Sequence, residues 1–149
     1  MAARSEVLPL RHVLTLPPTG PAVRLARETA EMVLAEWGIS LRHPCVDPAL
    51  LILSELVTNS VRHAAELSET VTVLYAAGKD TFAFAVHDRD PRQPPLYGAH
   101  AAAPGTGLGT VVELTLSLGG TAVLRGDKDG GGKSIWITLP LSPVGPVAG

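Results

Sequence analysis

Apolar and polar positions alternate and recur along this chain in a way that marks out its elements. Residues from about 7 to 16 mix apolar and polar side chains and stop at Pro17 and Pro18, which predicts an opening strand. From Pro21 to Trp37 the apolar positions Val23, Leu25, Ala26, Ala30, Val33, Leu34 and Trp37 recur near the helical period, and Gly38 supplies a stop. A second helix is predicted to follow Asp47, a capping residue set before Pro48, and to run to about Glu66. Val71–Ala76 and Thr81–Asp88 are β-prone runs joined by Gly78, Lys79 and Asp80, the pattern of a hairpin. Pro91, Pro94, Pro95 and Pro104 make residues 89–104 a long loop. A third helix is expected from the Gly105–Gly109 stretch to about Leu118, despite the β-branched Thr110, Val111 and Val112. Gly119 and Gly120 end it, Thr121–Arg125 and Ser134–Leu139 follow as strands around a turn at residues 127–132, and a loose tail starts at Pro140.

The resulting order, β, α, α, β, β, loop, α, β, β, predicts an α+β fold: a two-layer sandwich with helices on one face of a mixed, mostly antiparallel sheet. The other face then needs a cover or a partner. No repeat of 20 to 50 residues is visible, so a solenoid is excluded. At 149 residues the chain has the size of one domain, with a core from about 17 to 139, and 46% hydrophobic residues supply that core without disulfides.

Composition narrows the function classes. Twelve basic residues against fourteen acidic ones leave a net charge of −2, too weak a field to draw the protein to DNA or to an anionic membrane. Aromatic residues at 4% are too few for base-stacking platforms. The N-terminus lacks a continuous apolar signal segment, and no run of about 18 apolar residues occurs, so a membrane span is not expected. Cys45 is the single cysteine, which fits a reducing cytoplasm and reads as a small apolar filler. The five histidines show no metal spacing.

Three local features could carry chemistry. On the second helix, 100° per residue puts Glu55, Asn59 and Arg62 on one stripe, with Leu53, Val57 and Ala64 turned the other way into a core. An amide oxygen one turn from a carboxylate suits a hard cation beside a hydroxyl or water to be polarised. A solvated helix face is the plain alternative, although Leu51 and Ile52 suggest partial cover. Asp88 ends a strand beside a loop, where it can accept from a ligand amine or cap the turn at Pro91. Gly105, Gly107 and Gly109 precede an apolar helix and can form an anion cradle, or serve only turn and helix packing. Their spacing matches neither a P-loop nor a dinucleotide fingerprint.

The three features occur in a fixed order: SELVTNSVRHA at residues 54–64, then Val86-His87-Asp88, then Gly105-Thr106-Gly107-Leu108-Gly109. Together they resemble the N, G1 and G2 boxes of the GHKL ATPase/kinase superfamily, and most closely the small anti-sigma-factor serine kinases of bacteria. The resemblance covers about Pro17 to Leu139. It implies a Bergerat-type fold binding ATP under a lid, here about Arg89 to Pro104. It further implies that Glu55 is the general base, that the Asn59 oxygen binds Mg²⁺, and that Asp88 accepts from the adenine amino group. Gly105, Thr106, Gly107, Leu108 and Gly109 would border the phosphates, and Ser134 would support the adenine contact.

The partners implied are a sigma factor, sequestered, and an anti-anti-sigma-type antagonist, phosphorylated on serine or threonine; related proteins also pair as homodimers. The G1 box departs from Asp-x-Gly-x-Gly: this chain has Asp88-Arg89-Asp90-Pro91-Arg92, with less adaptable backbone and a second carboxylate. A catalytically inactive binding module and a stand-alone ATPase are the competing functions.

Overall fold

A computed structural model describes residues 7–64, 66–97 and 107–142, apart from the Ala64 side chain. The elements are β1 (Leu10–Leu16), α1 (Pro21–Glu36), α2 (Val46–Ala64), β2 (Val71–Ala77), β3 (Thr81–Asp88), α3 (Gly107–Ser117), β4 (Thr121–Gly126) and β5 (Lys133–Pro140). All the strands and helices expected from the sequence form, most within two residues of their expected ends. The loose tail lies largely outside the described residues.

The five strands stand in the order β1-β2-β3-β5-β4, and every pairing is antiparallel. Period-two alternation sends Val73, Tyr75, Phe82, Phe84, Ile137 and Leu139 to one face, where they are buried in a single cluster with the helices. This is the α/β sandwich expected. The opposite face carries one apolar row that crosses all five strands in register, Val13–Leu74–Ala85–Trp136–Val123.

The three helices lie side by side, with α2 in the middle against both α1 and α3. Leu53 and Val57 are buried as the stripe pattern requires, but so are Ile52 and Leu56, because a central helix is covered on its flanks as well as its base. Leu51 is exposed. The start of α2 also differs from expectation. The helix begins at Val46, and Ala49 N–H bonds to the Cys45 carbonyl, so Asp47 sits in the first turn, facing the positive end of the dipole, rather than at the cap.

Two helix ends are fixed by glycine. Gly38 after α1 and Gly119 after α3 have φ of 77° and 76°. Beyond α1, Gly38 N–H donates to Ala35 O and Ile39 N–H to Leu34 O; beyond α3, Gly119 donates to Leu116 O and Gly120 to Thr115 O. Both are Schellman caps, which satisfy carbonyls that would otherwise be orphaned. The buried Tyr75 hydroxyl donates to Ala26 O at 2.7 Å and clips α1 to the sheet, and burial pushes its phenol well above the usual range. Cys45 is buried, as a filler should be, and burial raises its thiol pKa.

One buried group stands apart. The Thr115 hydroxyl on α3 is fully buried and has no hydrogen-bond partner among the described residues. Thr115→Val should therefore stabilise the domain by about 1 kcal/mol. The reading is a higher urea midpoint with an unchanged slope.

Candidate functional site

The middle helix, the end of β3 and the start of α3 converge at one end of the sandwich. Glu55 and Asn59, one turn apart and half-buried, face the first residue of α3: a Cβ placed on Gly107 would lie 2.9 Å from Glu55 Oε2 and 3.6 Å from Asn59 Oδ1. A Cβ at Gly107 would press only on the far end of the flexible Glu55 side chain, so the distance marks how closely the start of α3 approaches that carboxylate. Gly107 and Gly109 belong to the first turn of α3 instead of preceding it, since the helix starts at Gly107. Gly105 and Thr106 lie outside the described residues, as does the part of the expected lid after Tyr97.

Below this junction is a cavity of about 540 Å³, within the range of small-molecule sites. Its walls include Asn59, Gly107 and Leu108 on one side and the apolar Leu56, Val86 and Ile135 on another. Gln93 and Pro94, from the segment after β3, also line it. Arg62 lines the opening as the exposed member of the α2 stripe.

The floor is charged and closely paired. Asp88, 4% exposed, accepts from Ser60 Oγ at 2.6 Å, Lys133 Nζ at 2.9 Å and Asp90 N–H at 3.0 Å. Lys133, also largely buried, gives a second hydrogen bond to the Asp90 carbonyl at 3.1 Å. Asp90 is 2% exposed and is gripped by Arg92 through Nε and Nη2, the latter at 2.6 Å. The same guanidinium reaches the His63 carbonyl at 2.7 Å, so it also caps the last turn of α2. Two buried carboxylates two residues apart are thus matched by two cations, the condition under which such charges can be held inside a fold.

Strand alternation explains which residues share this floor and which do not. Asp88 pairs with Lys133 in the β3–β5 ladder, and His87 pairs with Ser134. Ser134 therefore projects from the opposite face of the sheet, beside His87 and Arg125, and does not line the cavity. Its neighbour Lys133, the partner of Asp88 in the ladder, lines the cavity instead. The sequence carried the signal: Lys133 is in phase with Ile135, Ile137 and Leu139, all buried, while Ser134 is in phase with the half-buried Trp136 and Thr138. Ser60, adjacent to Asn59 on α2, is the other floor residue that motif reasoning did not single out.

Behind the sheet a separate network fixes the turn after β4. His87 Nε2 and Arg89 both bond to Asp127, and Arg89 also reaches Asp129. His87, Asp88 and Arg89 thus alternate between the two sides.

Residues 16–138 match the histidine kinase-like ATPase domain family. The chain belongs to that family. Among solved structures, the RsbU and RsbW domains of Rv1364c from Mycobacterium tuberculosis share the fold, with a TM-score of 0.57 and 21% identity over 91% of this chain and 34% of that one. This chain thus spans about a third of that protein. The mycobacterial sensor histidine kinase MprB matches with a TM-score of 0.44 and 23% identity, over 64% of this chain and 76% of that chain. No curated protein matches. No described helix of this ATPase-type domain is long and apolar enough to cross a membrane.

The Asp90–Arg92 grip has a pH signature. Its hydrogen bonds with Arg92, before any other cause, hold the Asp90 carboxyl down to about 2 from an ordinary 3.8. A carboxylate with a lowered folded pKa adds stability that is complete above its unfolded pKa of about 4 and is lost as the pH falls through about 2. Arg92→Gln should therefore be destabilised at pH 7, with its gap to wild type narrowing between about pH 4 and pH 2. Urea unfolding at stepped pH checks this; a gap that stays constant across the window contradicts the assignment.

Proposed function

We propose that this histidine kinase-like ATPase domain binds ATP in the cavity and acts as a regulatory serine/threonine kinase on a protein antagonist, while also sequestering a sigma factor. The observation that carries the reading is the convergence of Glu55 and Asn59 on Gly107 at the start of α3, with Asn59 and Gly107 lining the same cavity as Asp88. The likeness to a structure containing an RsbW domain supports a protein partner of this kind.

In this reading the base rests on the floor, with its amino group donating to Asp88. The phosphates lie towards α3, where Gly107, Leu108 and Gly109 offer a helix N-terminus favourable to negative charge. Asn59 Oδ1 is a hard oxygen donor suited to Mg²⁺, which takes few protein ligands when phosphate oxygens supply the rest and neutralises charge as it forms. Glu55 accepts the proton of the attacking hydroxyl as its oxygen bonds to the γ-phosphorus; the bond to the β–γ bridging oxygen breaks, and ADP leaves. Most of the chemistry is alignment and charge compensation, which the convergent geometry supplies.

Calorimetric titration with ATP, with and without magnesium, tests the pocket itself. Glu55→Ala should bind ATP about as well as wild type yet lose about 100-fold or more in phosphotransfer to the antagonist. Asn59→Ala should weaken Mg-ATP binding by about tenfold or more. Equal transfer by wild type and Glu55→Ala would remove the assigned base.

One observation favours a second reading, a partner-binding module without turnover: the Lys133 ammonium already occupies Asp88. Incubation with labelled Mg-ATP and an antagonist separates the two, because capture of the partner without transfer of label belongs to the module. Phosphate release without a protein acceptor would instead mark a stand-alone ATPase.

A further inference from the structure

The floor pairs an acceptor with a donor, and the inventory of what each still has to offer is specific. A carboxylate has about four lone-pair positions. Three on Asp88 are taken, by Ser60, Lys133 and the Asp90 N–H, which leaves one. An ammonium has three N–H donors. Two on Lys133 are used, on Asp88 and the Asp90 carbonyl, which again leaves one. Both groups lie on the cavity wall, 2.9 Å apart and largely buried.

We propose that Lys133 is a base-reading residue: its remaining N–H donates to ring nitrogen N1 of a 6-aminopurine while Asp88 accepts from the 6-amino group. This deepens the nucleotide reading above and rests on it. Asp88 and Lys133 satisfy each other and their neighbours, and each keeps one further hydrogen-bonding position; one planar ligand edge carrying an amino donor next to a ring acceptor fits both positions at once. The ion pair carries no net charge, so its floor suits an uncharged base and not a phosphate. Leu56, Val86 and Ile135 give that base the apolar walls a ring needs. Guanine presents the same two functions in reversed order, a carbonyl acceptor at position 6 and a donor at N1, so it mismatches the floor when the phosphates hold the sugar in place. Lys133 thereby adds to the selectivity for adenine that Asp88 alone would give.

The test is titration of the wild-type chain with ATP, GTP, 1-deaza-ATP (carbon in place of N1) and the purine riboside triphosphate that lacks the 6-amino group, repeated with Lys133→Met. Each atomic deletion, and the change to GTP, should weaken binding to wild type by about tenfold or more. Lys133→Met should lose about tenfold for ATP and bind ATP and 1-deaza-ATP alike. Equal affinity of the wild type for ATP and 1-deaza-ATP overturns the proposal while leaving the nucleotide reading intact. Tighter ATP binding by Lys133→Met also overturns it, because the ammonium would then be a plug. If neither folded protein binds any of the four, the nucleotide reading itself fails and takes the proposal with it. The wild-type comparison decides the question even where the variant does not fold.

Discussion

The Asp88 carboxylate, held by three donors from three different parts of the chain, is the interaction on which the rest of this site depends. Ser60 ties it to the middle helix, Lys133 to the last strand, and the Asp90 N–H to the segment that leaves β3. A buried charge with that many partners is held in one place, and removal of any partner leaves part of the charge uncompensated in a region with little water. The mutual placement of α2, β3 and β5 at this end is therefore set by electrostatics as well as by packing. Away from this end the layers meet mainly through apolar side chains such as Leu53, Phe84 and Ile137.

A second pair extends this order into the loop. Arg92 grips Asp90 and reaches the His63 carbonyl, so the chain after β3 is fastened to the C-terminal end of α2. Where a glycine-bearing G1 box would give adaptable backbone, this chain has a proline between two charged residues that lock onto each other. The Asp90–Arg92 grip and the first residue of α3, Gly107, bound a connecting segment, part of which lies outside the described residues.

Most of the fold was legible because its signals are local and periodic. The helical repeat of α1, the hairpin at Gly78 and the Gly38 and Gly119 stops each follow from chemistry within a few residues. The start of α2 was misplaced because Asp47 and Pro48 are good cap residues by composition, yet the chain entering from Cys45 already supplies the first carbonyl. For the site, Glu55 and Asn59 could be placed on one face from spacing alone, but their approach to Gly107 is a tertiary fact. Ser134 and Lys133 show the sharper lesson. Motif matching selected the residue with the expected functional group, whereas the period of two along β5 selects its neighbour. When the two criteria disagree by one residue in a strand, the period decides, because a shift of one reverses the face.

That one-residue difference changes the chemistry the pocket can perform. A serine at the floor would offer a neutral hydroxyl able to donate or accept, and would leave the Asp88 carboxylate with its full charge. Lysine offers only donors and cancels that charge, at the cost of bringing a cation out of water. The cost is bearable here because the ammonium meets a carboxylate and a carbonyl at hydrogen-bonding distance, and because Asp90, the nearest other carboxylate, is already matched by Arg92. Exchange of Lys133 for a smaller neutral residue would thus alter the charge of the floor and the fit of Asp88 together. The extra carboxylate in residues 88–92 and the lysine at position 133 belong to one balanced set of charges, in which Arg92 compensates Asp90 and Lys133 compensates Asp88.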